Sequence, residues 1–252
     1  MQAAHALRAE PLPNMILVGA GPGLGEAIAA RFIAGGFRVG LIARSADALA
    51  QMQDRLGAQA FSHAADAGVP DSLEAALSDL TTRLGPCDVL IYNAAVLKPG
   101  LPLDVAPETL AAELSVNVLG AHQAARHVAP AMIEKGHGAI LFTGGGLAHE
   151  PFPEWAALAA GKAALRSLSL SLYKQLAPHG VHVSVIAVCG IVAPGGPFAP
   201  KTIAEEYWRL ATAPQGLHDR EVVFQPPGTD PLYNDPDRVH AATTLLPPHA
   251  RG

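Results

Sequence analysis

Residues 15–25 read Met15-Ile-Leu-Val-Gly19-Ala-Gly21-Pro-Gly23-Leu24-Gly25. The apolar run at the start is typical of a buried strand, and the residues from about 24 to 34 predict a helix that ends at two glycines. Glycines between a strand and a helix allow a tight turn, and they let backbone N–H groups approach a pyrophosphate at the positive end of the helix. Strand, spacing and helix together predict a dinucleotide-binding turn. The alternative is an ordinary glycine-rich turn.

Strands and helices alternate along most of the remaining sequence. Apolar periodicity predicts strands at 15–18, 37–43, 58–62, 88–92, 139–142, 181–188 and 221–225, and helices at 24–34, 46–56, 71–84, 107–135, 153–176 and 203–210. Ser45 is a suitable N-cap for the second helix. Such alternation predicts an α/β fold, with a single Rossmann-like, doubly wound parallel sheet and helices on both faces.

The sequence indicates one domain with two flanking segments. We expect an N-terminal extension over 1–14, a Rossmann-fold domain over 15–225, and a proline-rich, mobile tail over 226–252. No internal repeat or second domain boundary is evident.

Composition narrows the class of protein. Half of the 252 residues are hydrophobic and 15% are charged, against roughly 25% charged in an average protein, so a sizeable buried core is expected. The net charge of -5 argues against a nucleic-acid or anionic-membrane partner. Two cysteines and the histidine spacing predict neither a disulfide framework nor a metal site. We therefore expect a cytoplasmic protein that binds small molecules.

The segment Trp155-Ala-Ala-Leu158-Ala-Ala-Gly-Lys162-Ala-Ala-Leu165 resembles the active-site helix of the short-chain dehydrogenase/reductase family. Further motifs in matching order are the glycine turn, Asp66, Asn93-Ala-Ala and Ser115-Val-Asn117-Val. The resemblance covers roughly residues 15–192. In that family the helix carries Tyr-x-x-x-Lys, and a serine precedes the tyrosine by thirteen residues. Leu158 and Gly145 stand at those two positions, so the sequence predicts an atypical member without the catalytic tyrosine and serine.

The resemblance implies how a nicotinamide cofactor is held. It assigns the cofactor to Gly19, Gly21, Gly23, Leu24 and Gly25 at the turn, with Asp66 at the adenine, Asn93 near a ribose, Lys162 at the nicotinamide ribose, and Gly190 and Val192 near the carboxamide. No carboxylate lies between Val39 and Ala46 to accept bonds from a ribose 2′-OH, and Arg44 offers a cation for a 2′-phosphate. The sequence therefore predicts NADP(H). A solvated arginine is the alternative interpretation.

Leucine and glycine cannot give a carbonyl a proton from a side chain, so either another acid acts in their place, or solvent does, or the chemistry differs. The resemblance implies catalytic roles for Lys162 and Asn117. His149, in the loop 146–155 that borders the substrate pocket in the family, is the first choice for the proton donor. A surface histidine is the other interpretation.

The sequence favours an NADP(H)-dependent oxidoreductase that acts on a small apolar carbonyl, imine or activated alkene. The alternatives are a non-redox enzyme, or a non-catalytic NADP(H)-binding protein, on the same scaffold. The resemblance also implies a homodimer or homotetramer.

Overall fold

Seven parallel strands form the centre of the computed structural model, which describes residues 12–214 and 216–229. They are β1 (Asn14–Val18), β2 (Arg38–Ala43), β3 (Ala60–Ala64), β4 (Val89–Tyr92), β5 (Gly138–Thr143), β6 (Val181–Val188) and β7 (Glu221–Phe224). Their order in the sheet is β3-β2-β1-β4-β5-β6-β7. The direction of winding reverses between β1 and β4, and ligands of such sheets bind beyond the carboxyl ends of the strands at that point.

Helices cover both faces of the sheet. They are α1 (Leu24–Ala34), α2 (Ala46–Leu56), α3 (Pro70–Leu84), α4 (Pro107–Leu114), α5 (Gly120–Lys135), α6 (Ala156–Leu176) and α7 (Pro200–Thr212). One buried cluster joins the sheet to α3, α5 and α6, and the other joins it to α1, α2 and α7. Successive residues of β1 enter opposite clusters, because strand side chains alternate. Burial on both faces explains the unbroken apolar run of this strand.

The predicted doubly wound parallel sheet is confirmed. The helices α1 and α2 have the predicted bounds, and the Ser45 hydroxyl accepts a hydrogen bond from the Ala48 N–H at 3.2 Å as an N-cap. Three predicted starts are wrong by two or three residues: those of the third strand, of α6 and of α7, which begins at Pro200 rather than at 203. The third strand begins at Ala60 because Gly57 turns the chain with a φ of 85°. The helix α6 begins at Ala156, since the residues before it form a turn in which the Trp155 N–H bonds to the Phe152 carbonyl.

The long helix predicted over 107–135 contains an interruption that its apolar periodicity did not indicate. A π-helical turn, Ser115–Leu119, connects α4 to α5. Such a turn inserts one residue into the helix and often lies at functional sites. Here it includes Asn117, which is 2% exposed.

Most of the predicted extension and tail, residues 1–11 and 230–252, lie outside the described residues. Within the described part of the chain, no helix has the length and apolar character needed to cross a membrane.

Candidate active site

The predicted site residues follow the carboxyl ends of neighbouring parallel strands. Gly19 comes directly after β1, Arg44 after β2 and Asn93 after β4, while Thr143 ends β5. Because these strands are parallel, their carboxyl ends meet at one edge of the sheet, where the strand order reverses. The fold therefore brings Gly19, Arg44, Asn93 and Thr143 to one edge of the sheet.

The glycine turn combines close packing with an open face. A Cβ on Gly19 would stand 2.3 Å from the Ala94 nitrogen, and one on Gly25 would stand 2.8 Å from the Gly19 carbonyl oxygen. A Cβ on Gly21 or Gly23 would meet nothing within 4 Å. Two glycines thus allow the turn to pack against its neighbours, and the other two border open space.

The start of α1 has no cap of its own. Gly23 is the N-cap residue, with a φ of 87°, and it brings no side chain to bond the first N–H groups of the helix. Leu24 is the first helical residue and is buried. Uncapped N–H groups at a helix N-terminus attract anions. The residues present therefore fit a pyrophosphate.

The ends of β2 and β3 differ in how their polar residues are engaged. Arg44 is exposed and forms no ion pair with any described residue. Asp66 is half-buried, and one of its carboxylate oxygens accepts a bond from the Gly68 N–H at 2.8 Å. The Arg44 guanidinium is thus available to bind an anion, whereas one carboxylate oxygen of Asp66 is already hydrogen-bonded within its own turn.

A chain of partly buried hydrogen bonds lies behind the glycine turn. The Asn93 amide donates to the Gly19 carbonyl at 2.9 Å, and its oxygen accepts from the Thr143 hydroxyl at 2.9 Å. The Tyr207 hydroxyl lies 2.6 Å from the same threonine oxygen. Sequence reasoning missed Thr143 and Tyr207. A polar residue at the carboxyl end of a strand was a signal for the first, but Tyr207 lies on α7 without a motif.

Lys162 is the buried cation of the site. Its side chain is 7% exposed, and its Nζ donates to the Thr143 carbonyl at 2.6 Å. Burial lowers the pKa of Lys162 to about 8. Leu158 lies one helical turn before it and is 4% exposed. The three atoms nearest to a Cβ built on Gly145 are all carbons of Lys162, at 3.7 to 3.9 Å. Lys162 therefore lies beside Gly145 and one helical turn from Leu158, the two positions at which the sequence resemblance predicts missing side chains.

Asn117 faces the same helix. Its amide oxygen accepts from the Val96 N–H at 2.8 Å. Its amide nitrogen is buried and has no partner among the described residues, and a Cβ on Gly161 would stand 3.1 Å from it. A buried donor without a partner is uncommon in proteins and indicates a bound water or ligand group. The orphaned amide fits a site that binds a further molecule beside Lys162.

His149 contacts a carboxylate at the edge of the sheet. Its Nε2 lies 3.0 Å from a carboxylate oxygen of Glu221, at the start of β7, and its side chain is 36% exposed. Arg166 of α6 binds both oxygens of that carboxylate, at 2.6 and 2.7 Å. The Arg166 hydrogen bonds lower the pKa of Glu221. The imidazole therefore has a partner that sequence reasoning missed, because Glu221 lies far away in the chain.

The segment after β6 packs against Phe198 and is joined to β7, since the Cys189 N–H donates to the Phe224 carbonyl at 3.1 Å. A Cβ on Gly190 would stand 2.1 Å from the ring of Phe198, so the chain passes this ring too closely for any side chain. Val192 is 37% exposed. Cys189 is buried, and burial raises its pKa, which fits an inert thiol. In the described part of the chain no cluster of three or more metal-ligating side chains occurs.

Comparison with known proteins gives one consistent result. The family described as short chain dehydrogenase matches residues 13–196. The 2,3-dihydro-2,3-dihydroxybenzoate dehydrogenase of Bacillus subtilis (strain 168) is 32% identical over 184 residues, which are 71% of this chain and 67% of the relative. The 2-dehydro-3-deoxy-L-rhamnonate dehydrogenase (NAD(+)) of Sphingomonas sp. (strain SKA58) is 31% identical over 182 residues, 71% of this chain and 72% of the relative.

A solved structure agrees. The crystal structure of a metagenomic short-chain oxidoreductase in complex with NADP superimposes with a TM-score of 0.76 at 31% identity. The match covers 85% of this chain and 97% of that one.

Proposed function

This chain belongs to the short-chain dehydrogenase family, and we propose that it is an atypical member that uses NADP(H) to reduce or oxidise a small apolar substrate. The substrate is a carbonyl, an imine or an activated alkene. The relatives are dehydrogenases and oxidoreductases, which favours redox chemistry over a non-redox or purely binding role. When bound, the nicotinamide cofactor supplies or accepts the hydride.

The observation that carries the preference for NADP(H) is the end of β2. Arg44 is exposed without an ion pair to any described residue, and no carboxylate lies between Val39 and Ala46. A guanidinium suits a 2′-phosphate, whereas a carboxylate suits a 2′-OH. The relatives leave the choice open, since one is named for NAD(+) and another was crystallised with NADP.

The remaining roles follow the family pattern residue by residue. We assign the pyrophosphate to the turn from Gly19 to Gly25, with its open face at Gly21 and Gly23. Asp66 and Asn93 serve the adenosine half, and Gly190 and Val192 the carboxamide. Lys162 and Asn117 bind near the nicotinamide ribose, where the orphaned Asn117 amide supports a ligand.

The proposed substrate class follows from the two side chains that the site lacks. Leu158 and Gly145 offer no proton to a substrate oxygen, and general acid assistance is typically worth ~10²–10⁴ in rate. An iminium or a conjugated alkene needs less of this assistance than a plain ketone. We therefore expect slow turnover of ordinary ketones and secondary alcohols, well below the ~10 s⁻¹ of a median enzyme. The sequence predicts His149 as the donor, but its imidazole lies against Glu221 in the structure and would have to leave that carboxylate to reach a substrate.

The family pattern also supports a homodimer or homotetramer. Exposed apolar side chains include Leu103 at 98% and Leu119 at 61%, next to the α4–α5 and α6 region that pairs in many family members. Sedimentation equilibrium measures the assembly directly, and a monomer at micromolar concentration contradicts this part of the proposal.

Cofactor titration tests the proposal. Calorimetry on the wild type is expected to give tighter binding of NADPH than of NADH. Arg44→Ala removes the partner of the 2′-phosphate, and a charge-assisted bond is worth about 1.5–3 kcal/mol, so NADPH affinity falls roughly 10- to 100-fold. NADH affinity changes little. Arg126→Ala, at an exposed arginine of α5, is the matched control. Tighter binding of NADH by the wild type contradicts the assignment.

A further inference from the structure

Lys162 borders the two positions at which the family carries its acid and its serine. Leu158 precedes Lys162 by four residues on α6, so the two lie on one helical face. A Cβ on Gly145 would contact the Cγ, Cδ and Cε of Lys162 before any other atoms. The lysine chain thus runs between the positions that hold the acid and its serine partner in the family.

The ammonium of Lys162 has N–H donors that form no hydrogen bond to a described residue. An ammonium carries three N–H donors, and one bond of Nζ is formed within the described residues, to the Thr143 carbonyl. No described carboxylate pairs with it. A buried cation without a counter-charge is costly, and this cost appears as a pKa lowered to about 8. Such a group is able to lose its proton near neutral pH, which an ordinary lysine is not.

The neighbouring titratable groups are engaged or lie elsewhere. His149 bonds to Glu221, whose other bonds go to Arg166. Glu113 of α4 is 5% exposed with one carboxylate oxygen lacking a partner among the described residues, but it is absent from the atoms closest to Gly145. Burial is the cause that lowers the pKa of Lys162, without a contribution from a nearby charge.

We propose that Lys162 is the proton donor of this enzyme, in the place of the missing tyrosine. As hydride reaches the carbon of a C=O or C=N bond, a C–H bond forms and the π electron pair moves to the oxygen or nitrogen. That atom takes a proton from Nζ, the N–H bond breaks, and Lys162 becomes a neutral amine. Water returns the proton. In the reverse direction the neutral amine accepts the proton. Until transfer, the ammonium also stabilises the developing negative charge.

This inference rests on the proposed function, and one exchange separates a proton donor from a binding group. Lys162→Arg keeps a cation with several donors, but a guanidinium does not give up its proton at working pH. We expect the variant to bind NADPH within about threefold of the wild type and to lose roughly 10²-fold or more of its turnover. Lys174→Arg, the same exchange at an exposed position of α6, is the matched control and keeps both properties.

A second readout needs no turnover. The sequence holds five lysines, so ε-carbon NMR of protein labelled with ¹³C-lysine resolves each titration, and the Lys162→Arg spectrum assigns the signal. We expect Lys162 to titrate with a pKa of about 8, because burial disfavours its charged form. The rate of reduction falls as pH rises through that value, because the donor loses its proton.

The outcomes separate this inference from the proposed function. The panel contains cyclic imines, conjugated enals and small apolar ketones, with NADPH consumption as the readout. An active wild type with an equally active Lys162→Arg overturns the inference alone. So does a Lys162 that titrates at the ordinary ~10.4, or a His149→Gln variant that loses 10²-fold while Lys162→Arg stays active. A wild type that binds NADPH and consumes none with any compound overturns the proposed function and the inference with it.

Discussion

The buried hydroxyl chain behind the glycine turn yields a prediction about stability. Thr143 accepts from Tyr207 and donates to Asn93, which in turn holds the Gly19 carbonyl. Tyr207 is 0% exposed, and burial raises its pKa, so its hydroxyl stays protonated and acts as the donor. Thr143→Val keeps the shape of the side chain but removes the oxygen. It leaves the Tyr207 hydroxyl and the Asn93 oxygen without a partner.

The size of the effect follows from the burial of those two groups. An unsatisfied buried donor or acceptor costs about 1–3 kcal/mol. Tyr207 bears the full cost and Asn93, which is half-buried, a smaller one. We expect a loss of about 2–4 kcal/mol from the free energy of unfolding. With an m value of ~3 kcal/mol/M, the urea midpoint falls by roughly 1 M.

Urea unfolding followed by circular dichroism measures this loss. Thr143→Ser is the matched control, because it keeps the hydroxyl and removes one methyl group, which costs about 1 kcal/mol. The variant that combines Thr143→Val with Tyr207→Phe no longer buries an unpaired hydroxyl, so it should cost less than the sum of the single exchanges. The argument is wrong if Thr143→Val is as stable as Thr143→Ser, or if the two exchanges simply add.

Two further predictions concern the glycine turn and acid stability. Gly21→Ala should unfold like the wild type but bind NADPH at least tenfold more weakly. Gly19→Ala should instead lose stability, because the φ of Gly19 is 92° and an added Cβ would overlap the Ala94 nitrogen. Thermal melts and cofactor titration distinguish the two effects. Burial lowers the pKa of His182 from its usual 6.5 to about 3, so on acidification the unfolded chain binds a proton that the folded protein does not. Stability should therefore fall by on the order of 2 kcal/mol between pH 7 and pH 5, and His182→Phe should flatten this slope; equal slopes contradict the reasoning.

The parts of the fold that local pattern controls were predictable. The run from Met15 to Val18 is apolar throughout because β1 is buried on both faces. Ser45 indicates the start of α2 because its hydroxyl caps the helix. The glycine turn was recognisable because two of its residues lack room for a side chain. The predicted alternation then left a parallel sheet as the arrangement that buries every apolar run.

The parts that depend on contacts between distant segments were not predictable. The π-helical turn at Asn117 leaves the apolar pattern nearly unchanged, since it inserts a single residue into a helix. The partner of His149 is Glu221, and the partner of Thr143 is Tyr207; in each case the sequence holds no local sign of the pairing. The roles of Asn117, Lys162 and His149 stay predictions that the variants above address.

The residues proposed to bind the cofactor, Lys162 and Asn117, are held in place independently of the positions at which the family carries its proton donor. Lys162 is held by a backbone carbonyl, and Asn117 by a π-helical turn and a backbone N–H. Neither contact involves residue 158 or the side chain at 145. The sequence resemblance predicts a tyrosine and a serine at the positions of Leu158 and Gly145, and an exchange at either position is therefore expected to leave the lysine and asparagine in place. In the proposed mechanism, Lys162 has an apolar neighbour in Leu158 and no side chain beside it at Gly145. Burial in such surroundings favours release of the proton from Lys162.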